Sequence, residues 1–330
     1  MKRISYNQSA ENPVVPGHRQ LDPALEKWLE GYNKLLQDLQ ASGFKQTPSN
    51  AREGLANLTW TLVSEKPAIK WVNDDIVKGD EFDVSVRLYH PDPDSTLPVL
   101  IYFHGGGHMS GSISVYDRIC RKMAQATQHL VVSVDYRRAP ECRYPAGIND
   151  AVTVVKNIWA TLDERELSYA RQLSIAGDSA GGAISATLSH RAQLDPDLNI
   201  RRQVLIYPSL DYSMQFASVD LNATGYLLHK DKMKWFFEHY FNPQDDWMQA
   251  SPLNMQFSDA LPETLLITAE FDPLRDEGYA YIEKLKQAGV ENRHVHFNDM
   301  VHAFMNMEDV VKTQCETLYS EIGTFLKAKV

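Results

Sequence analysis

Cysteine is scarce: Cys120, Cys142 and Cys315 are the only three in 330 residues. Thiols this few and this widely spaced imply no disulfide framework, and no C-x-x-C pair is present to hold a metal. Basic charge is in deficit as well, with 33 Lys and Arg against 43 Asp and Glu and a formal net charge of −10. Without a positive field to attract phosphates, nucleic acid is excluded as the expected partner and stable association with anionic membranes is disfavoured. No apolar run approaches the ~18 residues of a membrane span. The segment from Met1 to Asn12 is polar and lacks the apolar centre of a signal peptide. The expectation is a soluble, cytoplasmic protein. Repeats and low-complexity segments are missing too. What remains is ordinary globular composition, 43% hydrophobic and 23% charged, in a chain long enough for one large α/β domain with an elaboration or for two smaller domains.

The organisation is legible in the spacing of apolar residues. Pro13, Pro16, Gly17 and Pro23 mark loops near the start. Leu25, Trp28, Leu29, Tyr32, Leu35, Leu36 and Leu39 then recur at helical spacing, with Asp22 before Pro23 as the predicted N-cap. From about Ile69 the period shifts to two, and Phe82, Val84, Val86 and Leu88 predict a half-buried strand. From Leu97 onward, continuous apolar strands alternate with helices. Strands are predicted at 98–103, 130–135, 173–176, 204–207, 264–269 and 294–297. Helices are predicted at 115–128, 146–162, 183–191, 278–288 and 309–327. This order implies an α/β fold with a parallel sheet covered on both faces. The rhythm breaks between Ser209 and Met255, where Trp235, Phe236, Phe237, Tyr240 and Phe241 cluster. Two readings are open for that stretch: a helical cap formed with residues 1–60, or ordinary helices on the sheet.

Chemistry concentrates in the turns after the strands. Gly177-Asp178-Ser179-Ala180-Gly181-Gly182 contains G-x-S-x-G between a strand and a helix, the pattern of a nucleophile elbow. His104-Gly105-Gly106-Gly107 follows another strand directly. Three glycines let a backbone approach a ligand closely, as an oxyanion hole requires. A phosphate-binding loop is the weaker alternative, because neither G-x-x-x-x-G-K-[ST] nor a helix-opening G-x-G-x-x-G occurs. Attack by Ser179 on an ester carbonyl would place the oxyanion against the N–H groups of Gly106, Gly107 and Ala180. A serine hydroxyl needs a base. Among 11 histidines, His302 lies past the last strand and before the last helix, where active groups converge. His294 and His296 fall in a strand pattern, and His104 is read as structural. The acid that orients the base is expected among Glu270, Asp272, Asp276 and Glu277. Asp272 lies just past a strand end, Glu270 is read as pairing with a neighbouring loop, and Asp276 and Glu277 as capping the next helix. The order Ser179, Asp272, His302 is that of the α/β-hydrolases.

Four blocks together closely resemble the hormone-sensitive-lipase-like, or bacterial family IV, esterases of that superfamily. They are His104-Gly105-Gly106-Gly107, Asp135-Tyr136-Arg137-Arg138-Ala139-Pro140-Glu141, the Ser179 turn, and Asp272-Pro273-Leu274-Arg275-Asp276 followed by His302. The resemblance spans roughly residues 97–305 and is nearest to acetyl and short-chain carboxylesterases. It implies the α/β-hydrolase fold, a mostly parallel eight-stranded sheet with helices on both faces and a helical cap. The implied division is 1–60 for N-terminal cap helices, 61–208 and 256–330 for the catalytic domain, and 209–255 for the cap insertion. It also implies Ser179 as nucleophile, Asp272 as acid, His302 as base, and an oxyanion hole at Gly106, Gly107 and Ala180.

Two departures stand out. His108 follows the glycines where a large aromatic residue is common, and it is expected to line the pocket entrance. Ala303 follows the histidine where glycine is common. The expected reaction is hydrolysis of short-chain acyl esters through an acyl-enzyme, with a small-molecule ester as partner and neither metal nor organic cofactor. Trp235, Phe236, Phe237 and Trp28 are expected to narrow the cleft, favouring an esterase over a lipase. A binding protein on this fold is disfavoured because His302 is present. A peptidase of the oligopeptidase kind would need a further large domain. A homodimer is compatible with the resemblance and with an edge strand near 294–297.

Overall fold

A computed structural model describes residues 19–328; the loop markers Pro13, Pro16 and Gly17 lie outside that range. Helices α1 (Pro23–Ala41) and α2 (Pro48–Leu62) come first, followed by strands β1 (Trp71–Val77), β2 (Val84–His90) and β3 (Leu97–Phe103). Next come α3 (Ile113–Thr127), β4 (Leu130–Val134), α4 (Ala146–Glu164), β5 (Tyr169–Asp178), α5 (Ala180–Ala192) and β6 (Arg202–Ile206). After β6 lie α6 (Ala217–Leu221), α7 (Lys230–Tyr240) and α8 (Trp247–Ala250). The chain closes with β7 (Glu263–Phe271), α9 (Arg275–Gln287), β8 (Asn292–Val301) and α10 (Lys312–Lys327).

Among the described residues, eight strands form one sheet in the order β1-β2-β4-β3-β5-β6-β7-β8. The β1–β2 and β2–β4 pairs are antiparallel and the remaining pairs are parallel. The parallel strands read as continuous apolar runs because both faces are covered. In β3, Leu100 and Tyr102 join a core with α3 and α10, while Val99, Ile101 and Phe103 join a second core with α4 and α5. A third apolar cluster gathers Met109, Ala183, Phe236, Phe237, Tyr240 and Phe241 beneath α7. No helix among the described residues is long and apolar enough to cross a membrane.

Several elements differ from the sequence reading. Asp22 caps α1 as predicted, its side chain accepting from Ala24 and Leu25 N–H. Helix α2 escaped detection as a separate element, because Gly54, Asn57 and Thr59 weaken both its propensity and its apolar stripe. Strand β1 did so because Asn73, Asp74 and Asp75 suit an exposed edge. Phe82 precedes β2 rather than belonging to it, and packs 4.3 Å beneath the Arg137 guanidinium. The last helix starts at Lys312, since Asp309 instead accepts hydrogen bonds from the Ser64 N–H and hydroxyl. Helix α5 starts at Ala180, directly after the elbow serine.

Glycine spacing at the elbow is set by close approach. A Cβ on Gly181 would overlap the Phe103 carbonyl oxygen, and one on Gly182 would sit 2.7 Å from Pro208 Cβ. By contrast, a Cβ on Gly54 in α2 meets nothing within 4 Å. Gly181→Ala is therefore expected to destabilise by about 1–3 kcal/mol or more. Gly54→Ala should stabilise by about 0.5–1 kcal/mol. Denaturant midpoints check both, and equal shifts in the two variants would contradict the packing argument.

Candidate active site

Ser179 stands where β5 passes into α5, with φ 54° and ψ −118°. A non-glycine residue in this region stores about 1–3 kcal/mol of strain and must be held there. The restraint is a set of backbone bonds: Ser179 N–H donates to the Ile206 carbonyl at 2.9 Å, and its own carbonyl accepts from Ala183 and Ser209 N–H at 3.1 Å each. The hydroxyl then projects past the carboxyl ends of the parallel strands.

His302 ends β8's approach to the same rim. Its Nε2 lies 2.9 Å from Ser179 Oγ, and its Nδ1 lies 2.8 Å from Asp272 Oδ2. The tautomer that satisfies both partners carries the proton on Nδ1 and leaves Nε2 to accept from the hydroxyl. Asp272 is fully buried, its Oδ1 accepts from Leu274 N–H at 2.8 Å, and its carbonyl accepts from the Asn222 amide at 2.9 Å. The Tyr207 ring packs edge-on against the imidazole, with centroids 4.8 Å apart. Ala303 takes a left-handed conformation, φ 60°, which turns the chain away at once.

The glycine loop follows β3, the neighbour of β5 in the sheet. Gly106 and Gly107 have φ +119° and +63°, so both need the freedom of glycine. The Gly106 carbonyl is turned inward and accepts from Ser110 N–H at 2.8 Å. No protein acceptor among the described residues takes the N–H of Gly106, Gly107 or Ala180. Two side chains lie against this loop. Leu55 of α2 would meet a Cβ on Gly106 at 3.0 Å, and the Phe236 ring of α7 would meet one on Gly107 at 2.6 Å.

Sequence reasoning missed the group that ties the loop to the elbow. Asp178, immediately before Ser179, is buried and accepts three hydrogen bonds. Its Oδ1 takes Gly105 N–H at 2.7 Å and Tyr102 hydroxyl at 2.7 Å, and its Oδ2 takes Tyr116 hydroxyl at 3.0 Å. The only signal in the sequence was its place inside the serine motif. His104 is buried between Tyr136 and Tyr116, with ring centroids at 4.5 and 5.4 Å. Burial lowers its pKa to about 3, so it is neutral and packs as a structural residue.

Other predicted positions fall elsewhere. His108 does not line an open entrance. It is buried, stacks on Tyr240 with centroids 3.8 Å apart, and shares a hydrogen bond of 3.1 Å with the Tyr212 hydroxyl. Its positive φ of 58° turns the side chain into the cluster under α7. Asp276 and Glu277 lie in the first turn of α9 but make no cap hydrogen bond. Asp276 accepts from Ser218 N–H and Glu277 from Leu210 N–H, so both fasten the segment after β6. Glu270 pairs with Arg19, Arg275 and His296, in keeping with the structural pairing expected of it. His294 and His296 lie on β8 and both bond Thr268 Oγ1. Among the described residues, no group of three or more His, Cys, Asp or Glu is arranged to hold a metal.

Residues 100–306 match a family model described as alpha/beta hydrolase fold. The chain is 34% identical over 248 residues to an ethyl acetate hydrolase of Pseudomonas putida, covering 72% of this chain and 77% of that protein. It is 36% identical over 241 residues to carboxylesterase NlhH of Mycobacterium tuberculosis, covering 71% and 75%. A hyperthermophilic esterase from Pyrobaculum calidifontis superposes with a TM-score of 0.82 at 32% identity, covering 93% of this chain and 98% of that one.

The buried Asp178 has a measurable signature. Burial pushes its pKa up to about 6, against the opposing pull of Tyr102, Tyr116 and Gly105 N–H. An unfolded aspartate titrates near 3.9. A carboxyl raised on folding adds stability below its unfolded pKa, and that stability is lost as pH rises through the folded value. Between about pH 4 and pH 6 the wild type loses this contribution, whereas Asp178→Asn has no such group to titrate. The melting-temperature difference between variant and wild type should therefore move in the variant's favour, by roughly several degrees, from pH 4 to pH 7. A difference independent of pH would contradict the shift.

Proposed function

The chain belongs to the hormone-sensitive-lipase-like branch of the alpha/beta hydrolases, and from that premise we propose that it hydrolyses short-chain carboxylic esters through an acyl-enzyme on Ser179. The observation that carries this reading is the continuous hydrogen-bond chain Ser179 Oγ, His302 Nε2, His302 Nδ1, Asp272 Oδ2, at 2.9 and 2.8 Å. His302 takes the hydroxyl proton as Ser179 attacks the ester carbonyl. Asp272 accepts from Nδ1–H and stabilises the imidazolium that forms. The oxyanion meets the N–H groups of Gly106, Gly107 and Ala180, the last at the positive end of α5. His302 then protonates the leaving alcohol, and water repeats the sequence to release the acid.

Helices α1 and α2 and the segment 209–255 act as the cap in this reading. Leu55 and Phe236 crowd the glycine loop from two sides, which favours small acyl groups over the long chains of a lipase. The name of the Pseudomonas relative, ethyl acetate hydrolase, agrees with that preference. The three free thiols fit a cytoplasmic setting. Among the described residues β8 is the edge strand of the sheet, and a second copy would pair along it.

Hydrolysis of 4-nitrophenyl acetate and butyrate tests the proposal directly. Ser179→Ala should lower kcat by about 10⁶, as loss of the nucleophile does in other triads. A wild type as inert as that variant would refute the reading. A series of longer acyl chains should show kcat/KM falling beyond butyrate; a rise toward long chains would make the protein a lipase.

The base must be neutral to act. Hence kcat/KM should fall toward acid pH, where an imidazole base is lost to protonation, and be higher on the alkaline side. A flat profile from about pH 5 to pH 9, with chemistry rate-limiting, would exclude His302 as base.

A further inference from the structure

Helix α7 forms one wall above the glycine loop, because the Phe236 ring fills the space beside Gly107. One turn earlier on the same face of that helix is Lys232. Its ammonium lies 5.9 Å from the centre of the Phe236 ring. The three lysines that open α7 keep different company. Lys230 pairs with Asp220, and Lys234 lies 3.8 Å from Glu238. Lys232 makes no ion pair or hydrogen bond among the described residues. Protein surrounds its ammonium closely enough that burial lowers its pKa from the ordinary lysine value, and no carboxylate offsets that burial. The residue is nevertheless part-exposed, so it is open to solvent on one side.

A cation that has lost part of its hydration without gaining a counter-ion is destabilised. It is also of the wrong sign for the first turn of a helix, where the backbone already presents positive charge. The other two lysines offset that cost with acidic neighbours. Lys232 has no such neighbour among the described residues, and it stands on the same wall as the ring that covers the glycine loop. The chain as a whole carries a net charge of −10, so attraction of an anionic ligand to the site depends on a local cation of this kind.

We propose that Lys232 recognises an anionic group on the substrate, and that the ester this protein takes carries a carboxylate apart from the scissile bond. The inference rests on the ester-hydrolase reading and adds the substrate's charge to it.

Two matched pairs of esters test it on wild type, Lys232→Met and Lys232→Arg. Mono-4-nitrophenyl glutarate against 4-nitrophenyl butyrate places the carboxylate on the acyl side. 4-Acetoxybenzoate against its methyl ester places it on the alcohol side. In at least one pair the ratio of kcat/KM, anionic over neutral, should fall about tenfold in Lys232→Met. The loss should lie in KM, be largely restored by Lys232→Arg, and shrink as salt is added to the wild type. A ratio unchanged in both pairs overturns the proposal. So does an equal loss on all four esters, which would make Lys232 a support for Phe236 alone. Calorimetric titration of glutarate into wild type and Lys232→Met gives a readout independent of turnover. Tighter binding to the wild type supports recognition, and equal binding overturns it, even if every ester proves inert and the ester-hydrolase reading itself fails.

Discussion

The carboxylate of Asp178 is the interaction on which the rest of the rim depends. It is buried, so its charge is costly unless every lone pair facing the protein is used. Two tyrosine hydroxyls and one backbone N–H offset part of that cost. The consequence is mechanical. The residue that precedes Ser179 grips the residue that precedes Gly106, so the end of β5 and the loop after β3 are tied to each other. Tyr102 comes from β3 itself and Tyr116 from α3, and Tyr116 also packs on His104. A single carboxylate thus sets the separation between the proposed nucleophile and the proposed oxyanion donors. A neutral side chain of the same shape would keep the packing but weaken these charge-assisted bonds.

A second constraint holds α2 and α7 against the same loop. Gly106 and Gly107 are free of Cβ atoms, and Leu55 and Phe236 use the space that this leaves. The segment between β6 and β7 is in turn fastened from below by α9. Glu277 is buried and accepts from Leu210 N–H, while Asp276 accepts from Ser218 N–H. Asn222, in that segment, donates to the Asp272 carbonyl. The stretch of chain that carries Asp272 therefore also anchors the segment between β6 and β7. Burial holds the Glu277 carboxyl far toward its neutral form, with the Asp211 and Asp272 charges adding to the effect. A neutral carboxyl can remain in that interior at little electrostatic cost.

Much of this was legible before any coordinates, and the reasons are local. The parallel strands are buried on both faces, so they stand out as unbroken apolar runs. The elbow needs glycine where backbones touch, so Gly177, Gly181 and Gly182 mark it in the sequence. The proposed acid and base follow strand ends in chain order, which is what makes Asp272 and His302 stand out in the sequence. What stayed hidden depends on distant partners. Tyr102 and Tyr116 lie 76 and 62 residues from Asp178, and nothing in their own neighbourhoods signals that bond. Asp276 and Glu277 looked like helix caps because acidic residues favour a first turn, yet tertiary donors claimed them. His108 looked like a rim residue by its place after the glycines, and its left-handed backbone turned it inward.

The distances at the site follow from the sheet order together with one bend. Neighbouring strands are about 4.8 Å apart, so β5 and β8, with β6 and β7 between them, are separated by roughly 14 Å. A serine at the end of the first and a histidine at the end of the second cannot meet by strand spacing alone. The pairing of β7 with β8 shifts register after Ala269, which carries Phe271 level with Val301. Asp272 then lies beside the root of His302, and the imidazole reaches back across the rim toward Ser179. The chain must leave that point sharply or the helix after it would fill the cleft. Ala303 supplies the turn at φ 60°, a conformation that costs an L-residue about 1–2 kcal/mol and that glycine adopts freely. Glycine would therefore suit the position, and alanine is the smallest residue with a Cβ that can stand there. The short 3-10 turn Phe304–Met307 then buries Phe304 against Tyr207 and Phe297, which fixes the backbone on which the histidine stands.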